Sequence, residues 1–166
     1  MNRTIQIIDR ISEVTGVTVA WLTLAMMVLT CAVVLVRYVF NLGSIALQES
    51  VMYLHGIVFM LSIGYTLKHG GHVRVDVLSS RLGERTRALI ELVGTVFFLF
   101  PLAGYIFFAS LGYVSFSWSL TEGSAQPGGL PGVFLLKTLI PVMAATLFVQ
   151  GVAEMLRAIQ TLRGNP

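Results

Sequence analysis

Four long apolar stretches dominate the chain and are separated by short polar segments. They cover about residues 14–36, 50–69, 88–119 and 132–156. The first contains no Asp, Glu, Lys or Arg, and as an α-helix it would be about 34 Å long, more than the roughly 30 Å of a hydrocarbon core. The pattern predicts four membrane-spanning helices in a single domain, residues 1–166, of an all-α integral membrane protein.

Several irregularities modify this picture. Residues 1–13 carry isoleucines at three-residue spacing among charged residues, which predicts a short helix that lies in the membrane interface or leads into the first span. The first span ends without a small-residue cleavage site, so we expect it to stay in the protein. The third uncharged run, residues 92–121, would be about 45 Å long and must tilt, kink at Pro101 or project beyond the bilayer. Pro141 predicts a bend in the fourth span.

Composition supports a membrane environment. Hydrophobic residues make up 55% of the chain and charged residues only 11%, whereas a soluble domain has about 25% charged residues. The single Cys31 excludes an intrachain disulfide framework, and we interpret it as an apolar side chain of a membrane helix. No run of five like charges occurs, so a basic tail for nucleic acid is excluded.

The longest polar segment, residues 68–87, lies between the second and third spans. Gly70 and Gly71 predict the end of the second helix, because glycine adopts the left-handed conformation that ends many helices. With both termini in the cytoplasm, the outer loops hold only Arg37 and Lys137, which satisfies the positive-inside rule. The other basic residues then lie on the cytoplasmic side: Arg3, Arg10, Lys68, Arg74, Arg81, Arg85, Arg87, Arg157 and Arg163.

Few residues are candidates for chemistry. His69, His72 and Asp76 have the donor types and close spacing of a metal site, but they are equally explained as a helix-end residue and loop residues. His55 is an ionisable residue inside a span, and we expect a neutral imidazole hydrogen-bonded between helices rather than a proton path.

The link between the first two spans is flanked by two charges. Arg37 and Glu49 either form a structural ion pair, contact a partner or remain solvated. No charged residue lies centrally in any span, whereas ion-coupled transporters commonly need an intramembrane charge or discontinuous helices. The chain also lacks a nucleophile–base pair, an H-E-x-x-H motif and a phosphate-binding glycine loop. We therefore predict an accessory subunit with no catalytic residue, no metal and no cofactor.

An ordered set of short motifs resembles the small membrane subunit of tripartite ATP-independent periplasmic (TRAP) transporters, the DctQ-like family. The matching pieces are R-Y-V-F-N at 37–41, Q-E at 48–49, L-S-I-G-Y-T-L at 61–67 and H-V-R-V-D-V-L at 72–78, followed by G-G-L-P at 128–131, L-L-K at 135–137 and I-P at 140–141. Many members have W-x-E-E before the second span, where this chain has L-Q-E-S. The resemblance carries over family-pattern residues of structural or subunit-contact role: Arg37, Glu49, His72, Arg74 and Asp76.

The resemblance implies a division of labour among three proteins. A periplasmic substrate-binding protein delivers an organic acid, for which a 2-oxo acid is one guess, and a large multi-pass subunit transports it with sodium. The small subunit packs beside the large one in the bacterial inner membrane as a scaffold. Small residues on its surface, such as Gly64 with Ser62 and the pair Ala103–Gly104, are candidate contacts. Two rival interpretations are a self-assembling small membrane channel or carrier, and a membrane enzyme or sensor built around His69, His72 and Asp76.

Overall fold

The computed structural model describes residues 2–71 and 83–164, which are helical apart from short links. The helices are α1 (Asn2–Val39), α2 (Ile45–Leu61), α3 (Ile63–Lys68), α4 (Glu84–Gly94), a π-helical turn (Thr95–Leu99), α5 (Phe100–Ser119) and α6 (Val133–Leu162). They form four helices long and apolar enough to cross a membrane: Arg3–Val39, Ile45–Lys68, Glu84–Ser119 and Val133–Leu162. The described part contains no strand. The predicted all-α membrane fold with four spans is confirmed.

Each span is longer than the apolar stretch that predicted it. Residues 2–13 continue directly into the first span as part of α1, so they lead into it. The fourth span continues to Leu162, several residues past the predicted end. Some polar residues in these extensions have partners on neighbouring helices, as Asp9 does in Arg157. Apolar patterning marks the part of a helix that suits lipid, not where the helix ends.

The second span is interrupted once and ends as predicted. Its two segments, α2 and α3, meet at Ser62, whose hydroxyl donates to the Phe59 carbonyl oxygen at 3.1 Å. At the end of α3, Gly70 has φ 63. The Gly70 N–H donates to the Leu67 carbonyl, and the Gly71 N–H donates to the Thr66 carbonyl at 2.8 Å. This pair of bonds is the Schellman arrangement that closes a helix.

The third span contains a π-helical turn directly before Pro101. The Phe100 N–H donates to the Thr95 carbonyl, five residues earlier. A proline inside a helix has no N–H to donate, and its ring crowds the carbonyl of the residue four positions before it. Inserting one extra residue per turn is a common way to relieve that crowding. The span therefore passes Pro101 without ending.

The fourth span, α6, is the centre of the structure. It packs against all five other α-helices, whereas α1 also packs against α2 and α3, and the third span packs mainly against α6. In the most apolar stretch of α6, 17% of residues are buried, against 6% in each of the first two spans. The first, second and fourth spans thus form a three-helix cluster, and the third span is attached to it through α6.

Glycines allow the helices of this cluster to approach closely. A Cβ at Gly16 would lie 2.2 Å from Tyr65 Cδ2, and one at Gly56 would lie 2.9 Å from Leu136 Cδ1. Two small residues that we expected on a partner face are used inside the chain instead. Gly64 is buried between α1 and α6, and Ala103 is only 1% exposed. Small residues serve internal packing first, because helices in lipid associate through close van der Waals contact.

We predict that Gly16→Ala destabilises the protein by about 1–3 kcal/mol, because the added methyl group overlaps the Tyr65 ring and its Cβ. Gly104→Ala is the matched control, since no heavy atom lies within 4 Å of its added methyl group. That variant should be neutral or slightly stabilising through helix propensity. Thermal unfolding in detergent micelles measures both changes. Equal melting temperatures for the two variants would contradict the proposed contact.

Candidate functional site

Polar side chains gather at the two ends of the helix cluster. We call the group near the chain termini the terminal cluster; it comprises Asp9, Ser12, Glu13, Lys68, His69, Gln150, Glu154 and Arg157. We call the group at the opposite end the loop cluster; it comprises Glu49, Ser117, Glu122, Ser124, Leu130 and Lys137. Between these clusters the spans carry almost no charge. The clusters are therefore the places where polar interactions fix the arrangement of the spans.

Gln150 is the buried centre of the terminal cluster. Its side chain is 0% exposed, although it belongs to the apolar fourth span. The Ser12 hydroxyl donates to Gln150 Oε1 at 2.7 Å, and Gln150 Nε2 donates to Glu154 Oε1 at 3.2 Å and to Asp9 Oδ1 at 3.4 Å. Both ends of the amide are satisfied, so a buried polar group here joins α1 to α6 without an unpaired atom.

Arg157 connects the same two helices through charge. Its guanidinium donates to both carboxylate oxygens of Asp9, with 2.5 Å to Oδ1, and to Glu154 Oε1 at 2.5 Å. Both contacts to Asp9 come from the single nitrogen Nη2, whereas Nη1 donates to Glu154, so one guanidinium links carboxylates on two helices. Its side chain is 33% exposed, so solvent screens part of the attraction.

The second span joins this cluster at its last turn. The Lys68 ammonium pairs with the Glu13 carboxylate and donates to the Asp9 carbonyl at 3.3 Å. His69 Nε2 lies 3.5 Å from Glu13, and the His69 ring packs 4.1 Å from the Tyr65 ring, measured between centroids. The terminal cluster therefore ties three of the four spans together.

The loop cluster folds the segment between the third and fourth spans. Glu122 accepts from the Ser117 hydroxyl at 2.6 Å and from Lys137 at 2.5 Å, and the Lys137 ammonium lies 4.0 Å from the centroid of the Tyr113 ring. The Lys137 ammonium and the Ser117 hydroxyl lower the pKa of Glu122. A lowered carboxyl pKa means that this contribution to stability is present at neutral pH and is lost as the pH falls through the pKa of the folded protein.

Glu49 attaches this loop to the start of the second span. Its carboxylate accepts from the Ser124 hydroxyl and, at 2.6 Å, from the Leu130 backbone N–H. The possible ion pair with Arg37 is not formed, since Arg37 is exposed and has no ion pair with any described residue. The loop residues compete better for the carboxylate because they offer two fixed donors.

The remaining candidate residues have mixed outcomes. His72, Arg74 and Asp76 lie outside the described residues, so their roles and a metal site that includes them stay predictions. Within residues 2–71 and 83–164, no group of three His, Cys, Asp or Glu residues is placed to hold a metal ion. His55 is exposed and stacks on Phe59, and it forms no hydrogen bond with the described part of the chain, so its expected hydrogen bond to another helix stays a prediction.

Comparison with known families identifies the chain. The family model for tripartite ATP-independent periplasmic transporters, DctQ component, matches residues 26–161. The chain belongs to the DctQ family. It is a small membrane component of a TRAP transporter, which confirms the resemblance carried by its motifs. The DctQ family is a family of transporter components and not a family of enzymes. No curated protein and no solved structure matches the chain.

The region matched by the DctQ family model contains all of the loop cluster but only part of the terminal cluster. Every residue of the loop cluster lies within residues 26–161, whereas Asp9, Ser12 and Glu13 precede it. Sequence reasoning missed the terminal cluster, although one signal was available: Gln150 is an amide in the middle of an otherwise apolar stretch. Its partners on α1 could not be predicted from local patterns, because they are far away in the chain; Ser12, for example, is 138 residues from Gln150.

We predict that Arg157→Gln lowers the free energy of unfolding by about 1–3 kcal/mol, because it leaves Asp9 and Glu154 together without their shared cation. Arg163→Gln is the control, since Arg163 is exposed and has no side-chain partner among the described residues. Unfolding of the two variants in micelles provides the comparison. The interpretation fails if Arg163→Gln is at least as destabilising as Arg157→Gln.

We further predict that Glu49→Gln loosens the loop, because an amide accepts a weaker hydrogen bond than a carboxylate. Hydrogen exchange at the Leu130 amide should become about tenfold faster, since this N–H donates to Glu49. Arg37→Gln should leave that exchange rate unchanged, because Arg37 is not paired with Glu49. An unchanged rate in Glu49→Gln would show that the loop is held by other contacts.

Proposed function

We propose that this DctQ chain is the non-catalytic scaffold of a sodium-driven TRAP transporter that takes up an organic acid. In this proposal a periplasmic binding protein delivers the substrate, and a large membrane subunit carries the substrate and sodium sites. One observation carries the proposal: all charged side chains of the four spans lie near helix ends, where most form ion pairs, and the middle of each span is uncharged. A chain built in this way is suited to holding a fixed shape in lipid.

The hydroxyl groups of the spans support the same conclusion. Most donate to a backbone carbonyl of their own helix, as Thr18 does to Val14 at 2.8 Å and Thr30 does to Met26 at 2.7 Å. Hydroxyls satisfied in this way are not arranged around a common path. A self-assembling channel or carrier would need polar groups that converge on a pore, so the scaffold is the better proposal.

The proposed orientation places both termini in the cytoplasm. The basic residues favour this orientation: of those in the described part of the chain, seven lie on the terminal side and two on the loop side. The terminal cluster would then face the cytoplasm and the loop cluster the periplasm. The inner membrane is the proposed location, because a periplasmic binding protein must reach the outer face of the complex.

Reconstitution in liposomes tests the function. The chain together with its large subunit and binding protein should take up an organic acid when a sodium gradient is imposed, and the chain alone should transport nothing. Copurification of the tagged chain with the large subunit should accompany this activity. Transport by the purified chain alone, or a failure to copurify with the large subunit, would overturn the scaffold proposal.

A further inference from the structure

One face of α2 presents polar side chains to the outside of the protein. Gln48, Met52, His55 and Phe59 are exposed and recur at spacings of four, three and four residues, which places them on one side of the helix. We call these four residues the His55 face. Neither Gln48 nor His55 forms a side-chain hydrogen bond with the described part of the chain. The face therefore combines apolar contact area with two unsatisfied polar groups.

His55 lies near the middle of the membrane. It is ten residues after Ile45, the first residue of the span, which corresponds to about 15 Å along the helix and about half of a hydrocarbon core. Its ring stacks on Phe59 with centroids 6.4 Å apart and planes inclined by 18°, a contact that uses neither ring nitrogen. The His55 imidazole thus has one donor and one acceptor without a partner in the described part of the chain, at a depth where the bilayer holds no water.

Lipid cannot supply what this side chain lacks. Acyl chains offer neither donors nor acceptors, and ionisable residues inside membrane spans nearly always face other protein segments or a water-filled cavity. His55 instead points away from its own helix cluster. We propose that the His55 face is the surface that binds the large membrane subunit, through a transmembrane helix that hydrogen-bonds His55 at the middle of the bilayer. This inference rests on the proposed function.

A second copy of the chain fits this face less well. Two copies in the same membrane orientation, related by a twofold axis along the membrane normal, would place His55 opposite His55. A pair of neutral imidazoles satisfies one donor and one acceptor and leaves the other donor and acceptor unpaired. A different helix can offer both groups at once. The partner is therefore a helix with hydrogen-bonding side chains at this depth, as an ion-transporting subunit carries.

The third span provides a matched control surface. Phe98, Tyr105 and Phe108 are each 73% exposed, and the Cβ direction at Gly104 is open. Phe108 is as accessible as Phe59, which is 64% exposed, but no histidine or amide accompanies it on its helix face. Apart from the Tyr105 hydroxyl, this surface is apolar and compatible with lipid. Phe59 and Phe108 therefore form a pair of equivalent positions on two different faces.

Site-specific photo-crosslinking tests the assignment in cells that contain both membrane subunits. A benzoylphenylalanine residue in place of Phe59 should crosslink to the large subunit, and the same residue in place of Phe108 should not. Crosslinking at Phe108 but not at Phe59 overturns the assignment of the face. A Phe59 crosslink only between two copies of the chain, or no crosslink in an intact complex, overturns it equally. If the unmodified subunits do not copurify, the proposed function itself fails.

Substitution of His55 tests the hydrogen bond separately. His55→Leu should reduce copurification of the large subunit about three- to tenfold, the range expected for one interhelical hydrogen bond in a membrane. His55→Gln should retain most of it, because the amide keeps a donor and an acceptor. Phe108→Leu should have no effect. Both His55 variants should melt like the parent chain when purified alone, and equal copurification of His55→Leu and the parent would refute the hydrogen bond.

Discussion

The arrangement of the spans depends on the fully buried amide of Gln150 and the hydrogen bonds that satisfy it. Because neighbouring helices enclose this amide, it cannot reach solvent, and leaving a buried amide unpaired costs about 2–7 kcal/mol. The register between α1 and α6 is therefore restricted to positions where Ser12 reaches the amide. Arg157 reinforces that register through its ion pair with Asp9. Apolar packing alone would allow these helices to slide, since one turn of Leu and Val resembles the next.

The two polar clusters hold the helices together at both ends of the assembly. The terminal cluster joins the first, second and fourth spans, and the loop cluster connects the second span with the hairpin formed by the third and fourth spans. Between them, close approach at Gly16 and Gly56 brings the helices into contact. Along its centre the polar groups are few, and most are bonded to their own helices. These properties suit the proposed role as a scaffold.

The same requirement for satisfied polar groups bears on how apolar and polar side chains are distributed over the exposed faces of the spans. Most exposed positions of the spans are large apolar residues, among them Trp21 and Phe108, which suit lipid. His55 and Gln48 are among the exceptions, because they face outward and have no hydrogen-bond partner among the described residues. A membrane subunit that works in a complex can leave such groups for another protein to satisfy. In the proposed complex, the His55 face would contact protein and the apolar faces would contact lipid.

The number of spans, their order, the end of the second helix at Gly70 and the family could all be predicted from the sequence, because apolar runs, glycines and short motifs are local properties of the chain. It indicated Glu49 as a contact residue but suggested Arg37 as its partner, since the two are close in sequence. Only the tertiary structure decided that Glu49 binds Ser124 and the Leu130 N–H, that Gln150 meets Ser12, and that α6 lies at the centre. These choices involve residues 75 to 138 positions apart. Which of several possible partners a polar group meets depends on helix rotation and packing, and a one-dimensional pattern carries neither.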